Sequence, residues 1–121
     1  MQKNIVRWFG LKHPKYAGLL SGYPAGVNLN TTSRIRVKAM GMVSGMPDLH
    51  LMVPKYVTLE DKKTFCAGLF IELKTANGKL SNIQKKYHEK LRSVGYLVFV
   101  SRSFEEVCWL INTYLEEDKS D

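Results

Sequence analysis

The stretch from Leu69 to Val100 limits the fold more than any other part of the chain. Leu69, Ile71 and Leu73 alternate with Phe70, Glu72 and Lys74 as far as Thr75, the period-two pattern of a half-buried strand. Asn77-Gly78 is a strong turn signal. Ser81 then caps a helix, with Gln84 three residues on. Ile83, Tyr87, Leu91 and Val94 supply its apolar stripe and Gly95 ends it. Tyr96 to Val100 follows as a nearly unbroken apolar run, suited to a strand covered on both faces. A strand, a capped helix and a buried strand in succession call for a sheet with helices packed on it.

The flanking segments extend that pattern. Gln2 to Lys12 reads as a helix with Ile5, Val6, Trp8 and Phe9 as apolar surface, stopping near His13 because Pro14 disfavours helical geometry in the residue before it. Tyr16 to Leu20 is a short apolar stretch that runs into loop chemistry at Gly22, Pro24, Gly26, Asn28 and Asn30. Thr31 to Met40 has strand-like alternation from Arg34 to Lys38, but a cap at Asn30 or Thr31 and a stop at Gly41 favour a helix. From Asp48 to Val53, Leu49, Leu51 and Val53 face one way and Asp48, His50 and Met52 the other. Pro54 to Ala67 holds a charged turn, Glu60 to Lys63, with an edge strand around Tyr56 to Leu59. Ser103 and Glu106 form a second capping box, opening a helix through Val107, Leu110, Ile111 and Leu115 before an acidic tail, Glu116 to Asp121, that is expected to fray. The order predicts an α/β fold, a mixed central sheet flanked by helices in one domain over residues 1–121.

With 45% hydrophobic and 24% charged residues in 121, the chain can bury a core without staples. No apolar run approaches the ~20 residues needed to span a bilayer, and the first residues lack the pattern of a secretory signal, so a cytoplasmic location is expected. Cys66 and Cys108 belong to no zinc-site spacing and read as buried free thiols. Charge is more telling. No acid precedes Asp48, while Lys3, Arg7, Lys12, Lys15, Arg34, Arg36 and Lys38 do; the remaining residues hold 11 basic and 11 acidic groups and cancel. The formal net charge of +7 thus comes from the first 47 residues, which points to a polyanionic partner or to a merely basic, soluble protein.

Glu72 and Lys74 emerge on one side of a strand, and a neighbouring strand would bring Asp48 to that side. Two carboxylates close together repel, a strain that a divalent cation relieves. Magnesium suits such a place because it takes one or two carboxylates and keeps waters and substrate phosphate in its shell. It lowers the pKa of bound water, while a nearby lysine positions the attacking water or stabilises the charge that develops on phosphorus. From spacing alone, Glu72 and Lys74 equally fit the wet face of a half-buried strand.

Three segments together narrow the choice: Gly45-Met46-Pro47-Asp48-Leu49, Phe70-Ile71-Glu72-Leu73-Lys74-Thr75 and Leu80-Ser81-Asn82-Ile83-Gln84-Lys85. They closely resemble the virus-type replication-repair nuclease (VRR-NUC) domain, a branch of the PD-(D/E)XK nuclease superfamily. The similarity runs on through Leu11-Lys12-His13-Pro14, Lys38-Ala39-Met40-Gly41 and Gly95-Tyr96, and so covers almost the whole chain. The resemblance implies a restriction-endonuclease-like αβββαβ core. It implies Asp48 and Glu72 as ligands of Mg2+ or Mn2+, the Leu73 backbone carbonyl as a third, Lys74 as the catalytic lysine and Gln84 as an accessory site residue. By likeness to small stand-alone phage and bacterial members, it also implies a homodimeric endonuclease of branched DNA such as Holliday junctions, in the host cytoplasm if phage-encoded. Two departures stand out. The family usually has a glutamate on its first helix shortly before the place of Gln2, where this chain offers no acid, which leaves open one metal ion or two. The segment that often carries asparagine-glycine after the early strand reads Pro24-Ala25-Gly26.

Other residues allow paired readings. Gln84 completes a capping box with Ser81, yet it sits at the border of the buried stripe, from where it reaches toward the acids. Arg34, Arg36, Lys38, Lys85 and His88 are candidate nucleic-acid contacts. Exposed helix faces account for the first four as simply, and a solvated surface histidine for His88. His50 shares the face of Asp48 and is either near the metal or structural. Trp8 and Trp109 are core or subunit contacts, and a last helix that is apolar on more than one side allows a dimer interface. Three functions follow: an endonuclease of branched DNA, a nuclease working from free ends, and a catalytically weak or inactive DNA-binding module of the same fold.

Overall fold

The computed structural model describes residues 1–23 and 30–116. Its elements in chain order are α1 (Gln2–Lys12), β1 (Leu20–Gly22), α2 (Thr31–Ala39), β2 (Leu49–Leu51), β3 (Lys55–Leu59), β4 (Lys62–Cys66), β5 (Leu69–Leu73), α3 (Asn82–Ser93), β6 (Leu97–Ser101) and α4 (Phe104–Glu116). A single 3-10 turn, Pro14–Tyr16, follows α1. Proline at the start of that turn ends the helix where the sequence predicts.

The main sheet has the order β1-β2-β5-β6. β1 and β2 pair antiparallel, as do β2 and β5, whereas β5 and β6 are parallel. Parallel neighbours need a long crossover, and α3 supplies it. Taking α1, β1, β2, β5, α3 and β6 in turn gives the αβββαβ core, and the mixed sheet flanked by helices is as expected.

Both faces of this sheet are covered. On one side Leu49, Leu51, Leu69 and Ile71 meet Ile5 and Phe9 from α1 and Val107, Ile111 and Tyr114 from α4. The Tyr114 hydroxyl donates to the Val53 carbonyl at 2.6 Å, a buried bond contributing about 1 kcal/mol and tying α4 to the end of β2. The other side carries a smaller apolar group of Phe70, Val98 and Leu91, under α3. His50 lies on that side too, half-buried and stacked on Phe70 with ring centroids 4.0 Å apart. Burial pushes its pKa down, and its ring is engaged with Phe70 and Tyr96.

Several local expectations are corrected. The short strand β1 was not visible in the apolar stretch Tyr16 to Leu20, because three residues give too little alternation to read. The charged segment Pro54 to Ala67 is a full hairpin of β3 and β4, not one edge strand. Its two-residue turn, Glu60-Asp61, has both residues at positive φ (50° and 65°), a geometry that asparagine-glycine normally announces. Ile83 and Val94 do not line the buried stripe of α3: they are 59% and 64% exposed, whereas Leu91 is buried as expected and His88 is buried beside it. In the second capping box, the Ser103 hydroxyl accepts the Glu106 N–H as expected. The Glu106 carboxylate, however, takes the Arg102 N–H and the Ser101 hydroxyl, one residue and two residues earlier than the pattern requires. α2 is a helix, with the Asn30 side chain accepting from the Ser33 N–H. Cys66 is buried, Cys108 half-buried, and both are free. The loop readings at Pro24, Ala25, Gly26 and Asn28, and the acidic tail beyond Glu116, lie outside the described residues. Among the described residues no helix is long and apolar enough to cross a membrane.

Candidate active site

The two acids are brought together by register. Leu49 pairs with Ile71 in the antiparallel β2–β5 ladder, so the next step places Asp48 opposite Glu72, with both side chains on the α3 face. One Asp48 carboxylate oxygen accepts the Leu73 N–H at 2.7 Å, which fixes the side chain against β5. On the other side the Asp48 carbonyl accepts the Tyr23 N–H at 2.9 Å, extending the β1 pairing by one residue.

Glycine at position 45 makes this approach possible. Gly45 has φ of +87°, and a Cβ there would lie 2.9 Å from the Ile83 carbonyl in the first turn of α3. Only a residue without a side chain tolerates both conditions, so the segment Gly45-Met46-Pro47 can run under α3 and deliver Asp48 to β5. Gln2 approaches from the other side. A Cβ at Gly22 would collide with the Gln2 side-chain amide, and would lie 3.7 Å from the Asp48 carbonyl. The start of α1 therefore abuts the same end of the sheet.

Glu72 is not on a wet face. It is 2% exposed, and α3 reaches both its oxygens. Gln84 Nε2 stands 3.4 Å from Oε2, the outer limit of a hydrogen bond, and His88 Nε2 stands 3.1 Å from Oε1. Gln84 also completes the capping box, since its Oε1 accepts the Ser81 N–H at 2.9 Å. Its two ends do both jobs at once.

Electrostatics shape the site strongly. Burial, then the hydrogen bond and the charge of Asp48, push the Glu72 carboxyl up to about 8, with Lys74 pulling the other way. Burial, then the positive charges of Arg92 and Lys74, push His88 down, with Glu89 opposing. The Glu72–His88 contact has ion-pair distance, but both shifts favour neutral forms, so we read it as a hydrogen bond rather than a salt bridge.

Lys74 follows on the same side of β5, half-buried. Its N–H donates to the Ser101 carbonyl on β6 at 2.9 Å. Across the trans peptide the Leu73 carbonyl must point the opposite way, toward the β2 side where Asp48 lies. Arg102 secures the loop that follows, donating to the Thr75 and Gly78 carbonyls at 2.7 and 2.6 Å.

The donor set fits a hard divalent cation. The charge of Asp48 raises the cost of ionising Glu72, which a cation would offset, and the Leu73 carbonyl points toward the β2 side. Among the described residues no group of three or more His, Cys, Asp and Glu side chains forms a cage.

Of the five candidate nucleic-acid contacts, four are exposed and His88 is buried. Arg34, Arg36, Lys38 and Lys85 are exposed on α2 and α3. Arg34 and Lys38 border a cavity of about 270 Å³ that Val37, Met42 and Val43 also line. His88 is corrected: at 1% exposure it is neither a solvated surface residue nor able to meet a phosphate in this arrangement. The signal that could have shown this is its spacing, four residues after Gln84 and therefore on the same helix face. Trp8 packs against the larger core and Trp109 is 63% exposed on α4.

The αβββαβ sheet with paired acids at one end of its central strands has the architecture of the restriction-endonuclease-like class. Within that class, the family model of the VRR-NUC domain matches residues 2–105, and the chain belongs to that family, a nuclease-type DNA-processing domain. A solved structure described as a VRR_NUC domain protein is similar with a TM-score of 0.74 at 22% identity, over 96% of this chain and 85% of that one. At that identity the likeness speaks for the fold. Comparison with curated proteins finds no match.

Proposed function

We propose that this protein is a divalent-metal-dependent endonuclease that hydrolyses phosphodiester bonds in branched DNA. The observation that carries this reading is the pair of half-buried Asp48 and buried Glu72, opposed across β2 and β5 with Lys74 on the same side of the strand. A DNA-binding surface has no use for two acids at one point, because they repel phosphate. A hydrolase does.

The Asp48 and Glu72 carboxylates and the Leu73 carbonyl would hold Mg2+ or Mn2+. Such an ion, when bound, acidifies water and offsets charge on the phosphoryl oxygens. The residues of the chain provide the rest. Gln84 holds one Glu72 oxygen and, through Ser81, anchors it to the start of α3. The Lys74 ammonium orients the attacking water and stabilises negative charge as it grows on the phosphate, most effectively in a site shielded from solvent. Arg102 holds the loop beside it in place. Basic groups on α2 and at Lys85 draw the DNA backbone to the surface.

A homodimer acting on four-way junctions is part of the proposal. It rests on the likeness to small stand-alone members and is supported by exposed apolar residues on neighbouring helices, Leu11 at 79% on α1 and Trp109 on α4. The test is a cleavage assay with a labelled four-way junction and a matched duplex. We expect cutting of the junction with Mg2+ or Mn2+, none with chelator and none by Glu72→Ala. Tight binding without cleavage under either metal would leave only the binding module, and cleavage by Glu72→Ala would place the chemistry elsewhere.

A further inference from the structure

We infer that His88 is a positioning residue of the metal site, holding the Glu72 carboxylate through Nε2 in the orientation that receives the cation. The inference rests on the reading that Asp48 and Glu72 hold a divalent cation. It goes beyond it by assigning a role to a residue that neither touches the cation nor reaches the DNA.

Three observations support it. The His88 ring is 1% exposed and its Nε2 lies 3.1 Å from Glu72 Oε1. The other ring nitrogen, Nδ1, is buried and has no hydrogen-bond partner among the described residues. A buried imidazole with one unpaired nitrogen is costly, and that cost is offset only through the other nitrogen. The third observation is geometric. Gln84 and His88 are four residues apart on α3 and take different oxygens of the same carboxylate, so one helix face grips Glu72 at two points.

The chemistry follows from the inventory of donors. A carboxylate that binds a cation is ionised and can only accept hydrogen bonds. His88 must then carry its proton on Nε2 and donate it to Oε1, leaving Nδ1 bare, the arrangement in which a buried Nδ1 without an acceptor is least costly. Without this donor Glu72 keeps its burial but loses its fixed rotation, and its oxygens no longer stay aligned with those of Asp48. Groups that orient a ligand in this way are commonly worth a factor of about 10–100 in metal affinity.

The side chains of glutamine and asparagine separate the roles. A glutamine amide at position 88 ends where Nε2 lies and can donate to Glu72, whereas an asparagine amide ends near Nδ1 and falls short. Both are polar in the same buried place, so a merely structural requirement treats them alike. Titrate Mn2+ alone into the wild-type protein, Glu72→Ala, His88→Gln and His88→Asn by calorimetry at pH 8, after confirming by near-ultraviolet circular dichroism that each is folded. We expect His88→Gln to stay within about 3-fold of wild type and His88→Asn to weaken by roughly 10–100-fold. Equal Mn2+ affinities in His88→Gln and His88→Asn would overturn this inference alone. Unchanged Mn2+ binding by Glu72→Ala would overturn the metal reading, and the role of His88 with it.

Discussion

Glu72 is 2% exposed and faces Asp48 across a strand pair, so the metal-free protein resists ionising it. Its carboxyl is pushed up to about 8, against 4.5 for an unperturbed glutamate. Between those values the folded chain holds a proton that the unfolded chain has released. The contribution of this residue to stability therefore falls as pH rises from about 4.5 toward 8, and is lowest above that range. Glu72→Gln keeps the shape and removes the charge. In chelator it should be more stable than wild type at pH 9, by on the order of 1 kcal/mol or more, and nearly equal at pH 4.5, as read by urea unfolding. A variant less stable than wild type at pH 9 would contradict the assignment of a penalised, buried carboxylate. At this scale the sequence shows which chemistry is present but not how deep it lies. Alternation from Leu69 to Thr75 puts Glu72 opposite the apolar face, which looks like solvent until α3 covers it. His88 was misread for the same reason: a helix stripe defined by its apolar members passes over a histidine whose partner is an acid on another element.

Among the elements, α1, α2, α3 and α4 were legible because caps and stops are local. Asn30, Ser81 and Ser103 each accept a backbone N–H three residues on, and Pro14 closes α1. The parts that escaped are those made by pairing. β1 exists because three residues find β2, and β4 because β3 folds back through a turn that its residues do not advertise. The rotation of α3 likewise depends on what it meets: Gly45 admits Ile83 outside the sheet contact, and Leu91 and His88 turn inward. α2 offers a test at this scale. Arg34 and Lys38 are exposed and one helical turn apart, with Arg36 on another side. Substituting Arg34 and Lys38 together by alanine should weaken DNA binding and reduce the slope of log affinity against log salt by roughly 1–2, with Mn2+ affinity unchanged. Fluorescence anisotropy over a salt series measures this, and an unaltered slope would remove α2 from the DNA contact.

As a whole, the molecule separates support from chemistry. One face of the sheet is a continuous apolar core against α1 and α4; the other gives way from Phe70, Leu91 and Val98 to a polar end where Asp48, Glu72, Gln84 and His88 meet. The hairpin of β3 and β4 leaves from the opposite end of β2 and returns at the start of β5, away from the acids. The mixed sheet and the pairing of the acids on one face were readable from alternation and the order of elements. The parallel neighbour β6, which supplies the Ser101 carbonyl that sets the peptide after Leu73, came only with the fold. The net positive charge comes from the first 47 residues while the candidate site is itself acidic, so phosphate attracted by the one needs a cation to be accepted by the other. The central claim is that Asp48 and Glu72 share that cation. Anomalous difference density from crystals grown with Mn2+ tests it most directly. The account predicts a peak about 2 Å from a carboxylate oxygen of each residue. A peak elsewhere, or none at this pair at saturating Mn2+, would contradict it.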